Sequence, residues 1–157
     1  ALQAENADQR ILVAGDLNDE PEDDSLLKVL GITGSMKEST IDALFWEPSS
    51  EFMKLPILET LDDAEKDLVF RKARGTYLYR GKFFQLDHLL LSKSFFDEDG
   101  ITYLRNSYQV VRHPISTNPK TQGPLTFKII LDEDGNDKGP KGASDHFPIL
   151  ARFNNPE

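Results

Sequence analysis

A mixed α/β fold follows from three features of the sequence. Short apolar, β-branched or aromatic runs recur between turn residues, which is the pattern of strands. One of them, residues 11–14, is continuously apolar, as in a strand buried on both faces. Residues 62–72 are rich in Ala, Glu, Lys and Leu, with acids early and bases late, as a helix dipole favours. A chain of 157 residues suits one domain.

In chain order, Ile11, Leu12, Val13 and Ala14 predict a strand that runs straight into Gly15-Asp16. The residues after it therefore sit at a strand's carboxyl end, where layered α/β folds bind ligands. Ser25 is placed to cap a short helix through Leu26, Leu27, Val29 and Leu30, with Gly31 as its stop. The helix over 62–72 comes next, and further strands are expected over 83–91, 108–112, 125–131 and 147–153. Residues 132–136, Asp-Glu-Asp-Gly-Asn, read as a solvated turn, because the spacing lacks the distal Glu of a calcium loop. Asp97-Glu98-Asp99 reads as a solvated face.

Composition narrows the function. With 18 basic and 27 acidic residues the formal net charge is −9. That balance argues against binding a phosphate backbone by charge alone. It leaves room for a phosphate-directed site that is locally cationic or recruits a metal. The lack of cysteine excludes disulfides, thiolate zinc sites and cysteine nucleophiles. No apolar run approaches the roughly 20 residues that span a bilayer. Ala1-Leu2-Gln3-Ala4-Glu5 has neither the basic start nor the apolar stretch of a signal peptide.

Three segments place compact polar groups at strand ends: Gly15-Asp16-Leu17-Asn18-Asp19-Glu20-Pro21, Gln85-Leu86-Asp87-His88 and Ser144-Asp145-His146-Phe147-Pro148. Carboxylates, an amide and histidines are the toolkit of metal-assisted or general-base hydrolysis. An Asp that accepts from one imidazole nitrogen fixes the tautomer and raises the ring's basicity. Taken singly, each Asp reads as a turn cap and each His as a core residue. Three such segments in one chain favour a site.

In this order the three segments resemble the endonuclease/exonuclease/phosphatase superfamily, the fold of pancreatic-type deoxyribonuclease, over residues from about Ile11 to Phe153. The resemblance implies half of a four-layer α/β/β/α sandwich, a mostly antiparallel mixed sheet with flanking helices, and a variable insertion between Phe45 and Arg74. It implies that Asp16 activates the attacking water or assists the leaving group, and that Asn18 donates to a phosphate oxygen. It further implies that His146 contacts the scissile phosphate, that Asp87 supports His146, and that Asp145 contributes to metal binding. The implied cofactor is Mg2+, with Mn2+ or Ca2+ as alternatives. His88 is expected on the opposite side of the sheet from Asp87 by strand alternation. His113, before Pro114, reads as structural or exposed.

The resemblance covers only the C-terminal half of such a domain. The N-terminal half would supply an Asn, the main metal-binding Glu and a further histidine. The expectation is thus that residues 1–157 are the C-terminal portion of one domain, inactive alone. An uncovered sheet face would meet the missing half or a second copy. The function expected of the parent is metal-dependent phosphodiester hydrolysis of a nuclease-like kind. Alternatives are a phosphomonoesterase or a lipid- or inositol-phosphate phosphodiesterase of the same fold, and a non-catalytic binding module. Arg71, Lys72, Arg74, Arg80 and Lys82, interleaved with Tyr77 and Tyr79, read either as a polyanion-binding edge or as a solvated hairpin. Lys138 and Lys141 are candidates to approach a substrate phosphate. The sequence does not fix the compartment, although zero cysteines and an acidic surface lean towards an extracytoplasmic bacterial protein.

Overall fold

The computed structural model describes residues 9–33, 45–54, 60–97, 99–126, 133–136 and 142–155. Within them the architecture is mixed α/β, with four small sheets, largely antiparallel, and few helices. The main sheet has the order β1-β6-β3-β2, from β1 (Leu12–Asp16), β2 (Ile32–Thr33), β3 (Phe45–Trp46) and β6 (Asp87–Leu91). Only β2 and β3 pair in parallel. Helix α1 (Asp63–Arg74) precedes a hairpin of β4 (Tyr77–Tyr79) and β5 (Lys82–Phe84). The remaining strands form two-residue pairs, β7 (Thr102–Tyr103) with β10 (Phe153–Asn154) and β8 (Gln109–Val110) with β9 (Ile149–Leu150). No helix of the described residues is long and apolar enough to cross a membrane.

Helix α1 forms where the sequence places it and runs two residues further. Asp62 accepts from the Glu65 N–H at 2.9 Å, and Glu65 accepts from the Asp62 N–H at 3.2 Å, a reciprocal capping box. Its far end meets Gly75, where a Cβ would lie 2.6 Å from both the Arg71 carbonyl oxygen and the Phe83 Cβ. Arg112 donates to the carbonyls of Lys72 (2.5 Å) and Gly75 (2.7 Å), closing the helix from outside.

Other elements depart from expectation, each for a visible reason. The run over 11–14 does not lie buried on both faces. β1 is an edge strand, and its Leu12 is 44% exposed. Ser25 is the first residue of a single wide helical turn rather than its cap, and its hydroxyl donates to Asp19 at 2.5 Å. Gly31 does stop that segment, at φ 63°. The run over 83–91 breaks in two because the backbone changes partner: Leu86 and Asp87 N–H groups turn to Thr76 Oγ1, and Leu86 O accepts from Leu17. The strand expected over 108–112 shrinks because Val111 faces Pro148, which has no N–H to return. The run over 147–153 splits where Arg152 bonds Leu104 and Ser107 instead of a strand. Of 125–131, Leu125 and Thr126 are not in a strand, and the rest lies outside the described residues, as do Asp132, Lys138 and Lys141. Residues 133–136 make the expected turn. Asp97 is not merely solvated, since it pairs with Arg10 at 2.7 Å.

Two apolar clusters sandwich β6. On one side Leu89 and Leu91 pack with Trp46, Phe95, Tyr103 and Tyr108. On the other Leu90 packs with Leu26 and Ile32. Among the described residues β6 is thus packed on both faces, whereas Leu12 of β1 is exposed.

His88 is fully buried at the centre of this arrangement. Its Nδ1 lies 3.0 Å from a Glu47 carboxylate oxygen and its Nε2 lies 2.8 Å from the Asp19 carbonyl. Both partners only accept, so the doubly protonated ring satisfies both. Burial alone disfavours that charge, but the bond to Glu47 and its negative charge outweigh it and hold His88 above the ordinary histidine value. The stabilisation is therefore complete below about pH 6.5 and is lost as pH rises through the folded value. Glu47→Ala should cost about 3 kcal/mol in urea unfolding at pH 6. Glu47→Gln should flatten the decline of stability above neutral pH, and an unchanged slope would contradict the charged pair.

Candidate active site

The antiparallel register of β1 and β6 sets Asp16 opposite Asp87 at the sheet's end. Opposed residues point to the same face, so both carboxylates project into one cleft of about 520 Å3. Asn18, Tyr77, Asp145 and His146 line it as well. The five residues singled out in the sequence, from three distant segments, thus line one cleft. His88, one step along β6, takes the opposite face and is engaged with Glu47, while His113 is exposed and does not line the cleft.

Each side chain is held by local chemistry. Asn18 has φ 58°, a conformation Asn tolerates, and its N–H donates to Asp16 Oδ1 at 2.9 Å. One oxygen of Asp16 therefore orders the loop carrying the amide. The Leu17 N–H donates to the Leu86 carbonyl at 2.8 Å, which ties this turn to the start of β6. Thr76 is wholly buried and anchors the other wall. Its hydroxyl accepts from the Leu86 and Asp87 N–H groups at 3.3 Å, and its carbonyl accepts from Phe147 N–H at 2.8 Å.

His146 carries the geometry that matters chemically. Its Nδ1 is 2.7 Å from Asp87 Oδ2. A carboxylate accepts only, so Nδ1 bears a proton and Nε2 is the nitrogen left for a ligand. Its ring stacks on Tyr77, with centroids 4.8 Å apart and planes 28° from parallel. The His146 N–H donates to Ser144 Oγ at 3.1 Å. Asp87 and His146 side chains are each 18% exposed, open to a substrate yet partly shielded from water.

The basic stretch read as a polyanion edge is divided by the fold. Arg71 is committed to Glu20 and Asp67, and Arg74 to Glu22, so both secure the loop after β1 instead of facing a ligand. Among the described residues no three His, Asp or Glu side chains converge to hold a metal ion. Asp145 is exposed, and the Asp87 oxygen nearest His146 is engaged by the ring. These residues alone do not make a divalent-cation centre.

Sequence reasoning missed the roles of Thr76 and Tyr77 in building the site. Only the alternation of Tyr77 and Tyr79 in a short strand hinted at a shared face. No family model, curated protein or solved structure matches the chain.

Asp87→Ala should abolish the Nδ1–H preference of His146, read as a changed imidazole 15N pattern by NMR, with Leu89 and Leu91 core resonances unmoved.

Proposed function

We propose that this chain is the C-terminal portion of a phosphodiester hydrolase of the endonuclease/exonuclease/phosphatase type, with its sheet contributing half of a four-layer sandwich. The observation that carries the reading is the Asp87–His146 pair, at 2.7 Å, sharing one cleft with Asp16 and Asn18. Such a constellation suits the development of charge on a five-coordinate phosphorus.

In the proposed reaction His146 Nε2 and the Asn18 amide donate to non-bridging phosphate oxygens. Asp87 keeps the imidazole oriented and stabilises its charged form. Asp16 takes a proton from the attacking water or assists the departing alkoxide. Water oxygen bonds to phosphorus as the ester P–O bond breaks, and the proton that leaves the water passes, through Asp16 or the solvent, to the leaving oxygen. Mg2+ would need ligands that the described residues do not supply, with Asp145 contributing at most one. The chemistry assigned to this chain is that of its own groups.

The test is hydrolysis of bis(4-nitrophenyl) phosphate by the full gene product containing this chain, with Mg2+. His146→Ala should lower kcat/KM by about 10^3-fold, within the range for a positioned proton donor. Asp87→Ala should reproduce part of that loss, and His113→Ala should leave the rate unchanged. Equal effects of the His113 and His146 substitutions would overturn the assignment.

A further inference from the structure

The outer face of the β4–β5 hairpin continues the cleft wall. Register sets Tyr77 opposite Phe84 and Tyr79 opposite Lys82, so these four side chains share one face. Leu78 and Phe83 take the other, where Phe83 lies 4.6 Å beneath the Arg112 guanidinium. On the outer face the rings form a column. His146 stacks on Tyr77, and Tyr77 lies within 11° of parallel to Tyr79 at 6.3 Å. The Arg80 guanidinium is 5.1 Å from the Tyr79 ring centre.

The column emerges into solvent. Tyr79 is 49% exposed, and Arg80 and Lys82 are exposed beside it. Among the described residues, the ion pairs of this region go to Arg71 and Arg74. Arg80 and Lys82 instead sit over Tyr79 and Phe84. Two cations and a half-exposed aromatic ring, with the Arg80 guanidinium lying over that ring, thus adjoin the cleft of a chain whose net charge is −9. A ring face offers stacking worth about 1–3 kcal/mol to a base, and neighbouring cations offer charge to its phosphates.

Resting on the hydrolase reading above, we infer that this hairpin face is a subsite for a single-stranded polynucleotide. An unpaired base replaces the Arg80 guanidinium on the Tyr79 ring near the phosphate held by His146, while Arg80, swung off the ring, and Lys82 take adjacent phosphates. A duplex keeps its base faces stacked internally and cannot offer one to Tyr79. An inositol phosphate has no π-face and would engage the cations alone.

The test compares a labelled oligothymidylate with an abasic strand of equal length by fluorescence anisotropy, in EDTA so that neither is cut. The protein should bind oligothymidylate about tenfold more tightly than the abasic strand. Tyr79→Ala should erase that preference and Tyr79→Phe should keep it. Arg80→Ala should weaken both strands alike and reduce the salt dependence by about one phosphate contact. Equal affinity for the two strands, a preference surviving Tyr79→Ala, or tighter binding of inositol hexakisphosphate than of either strand would overturn the subsite. Bis(4-nitrophenyl) phosphate hydrolysis by the full gene product separates the two readings. Hydrolysis without base preference overturns the subsite alone, and base preference without hydrolysis overturns the hydrolase alone.

Discussion

Five consecutive residue pairs, from Leu12↔Leu91 to Asp16↔Asp87, join β1 to β6, and most of the molecule is arranged around that ladder. Side chains alternate strictly along a strand, so the register decides everything on either side at once. Asp87, Leu89 and Leu91 go to one face, carrying a carboxylate at the cleft and the larger apolar cluster behind it. His88 and Leu90 go to the other, against Glu47 and Leu26. A slip of one residue would send Asp87 to the buried Glu47 side and drive His88 into the larger apolar cluster, where it has no carboxylate to meet. The cost of burying such polar groups without partners holds the polar cleft in place.

The loop after β1 is secured with equal economy. It lies at a strand end and carries Asn18, and Leu17 packs it against the Leu90 cluster. Three charged or polar links fix it further: the Asp19 carbonyl to His88, Glu20 to Arg71 and Glu22 to Arg74. The Arg74 pair has one buried partner, which makes it more than a surface contact. The carboxylates of Glu20 and Glu22 thus help to position the loop that carries the amide. The negative balance of the chain is partly spent inside it.

Much of this was legible in the residues, and the gaps have physical causes. Helix α1 was readable because its cap, dipole and composition are local properties of a dozen residues. Gly15-Asp16-Leu17-Asn18 was readable because an Asn in the left-handed region and an Asp folded onto its N–H are also local. Strand lengths were not, because they depend on partners distant in sequence. Pro148 ends a ladder whose other strand is 37 positions away, as Val111, and nothing near Val111 announces it. The openness of β1 was illegible for the same reason: an apolar run reports what a strand can bury, whereas its neighbours decide what it does bury. The fate of Arg71 and Arg74 also depended on carboxylates some fifty residues earlier.

The hairpin that extends the cleft wall turns on Arg80 and Gly81 alone, with φ of 47° and 82°. Both positive angles match the tight two-residue turn whose twist suits paired strands. Such a turn has no slack. Adding or deleting one residue there would break the register that sets Phe84 opposite Tyr77 and Lys82 opposite Tyr79. The turn therefore tolerates a change of the hairpin's exposed side chains but not of its length. The exposed loop around Ile115, where the Ser116 and Thr117 hydroxyls both close on the His113 carbonyl, is by contrast a place where an inserted residue would disturb no pairing of the cleft.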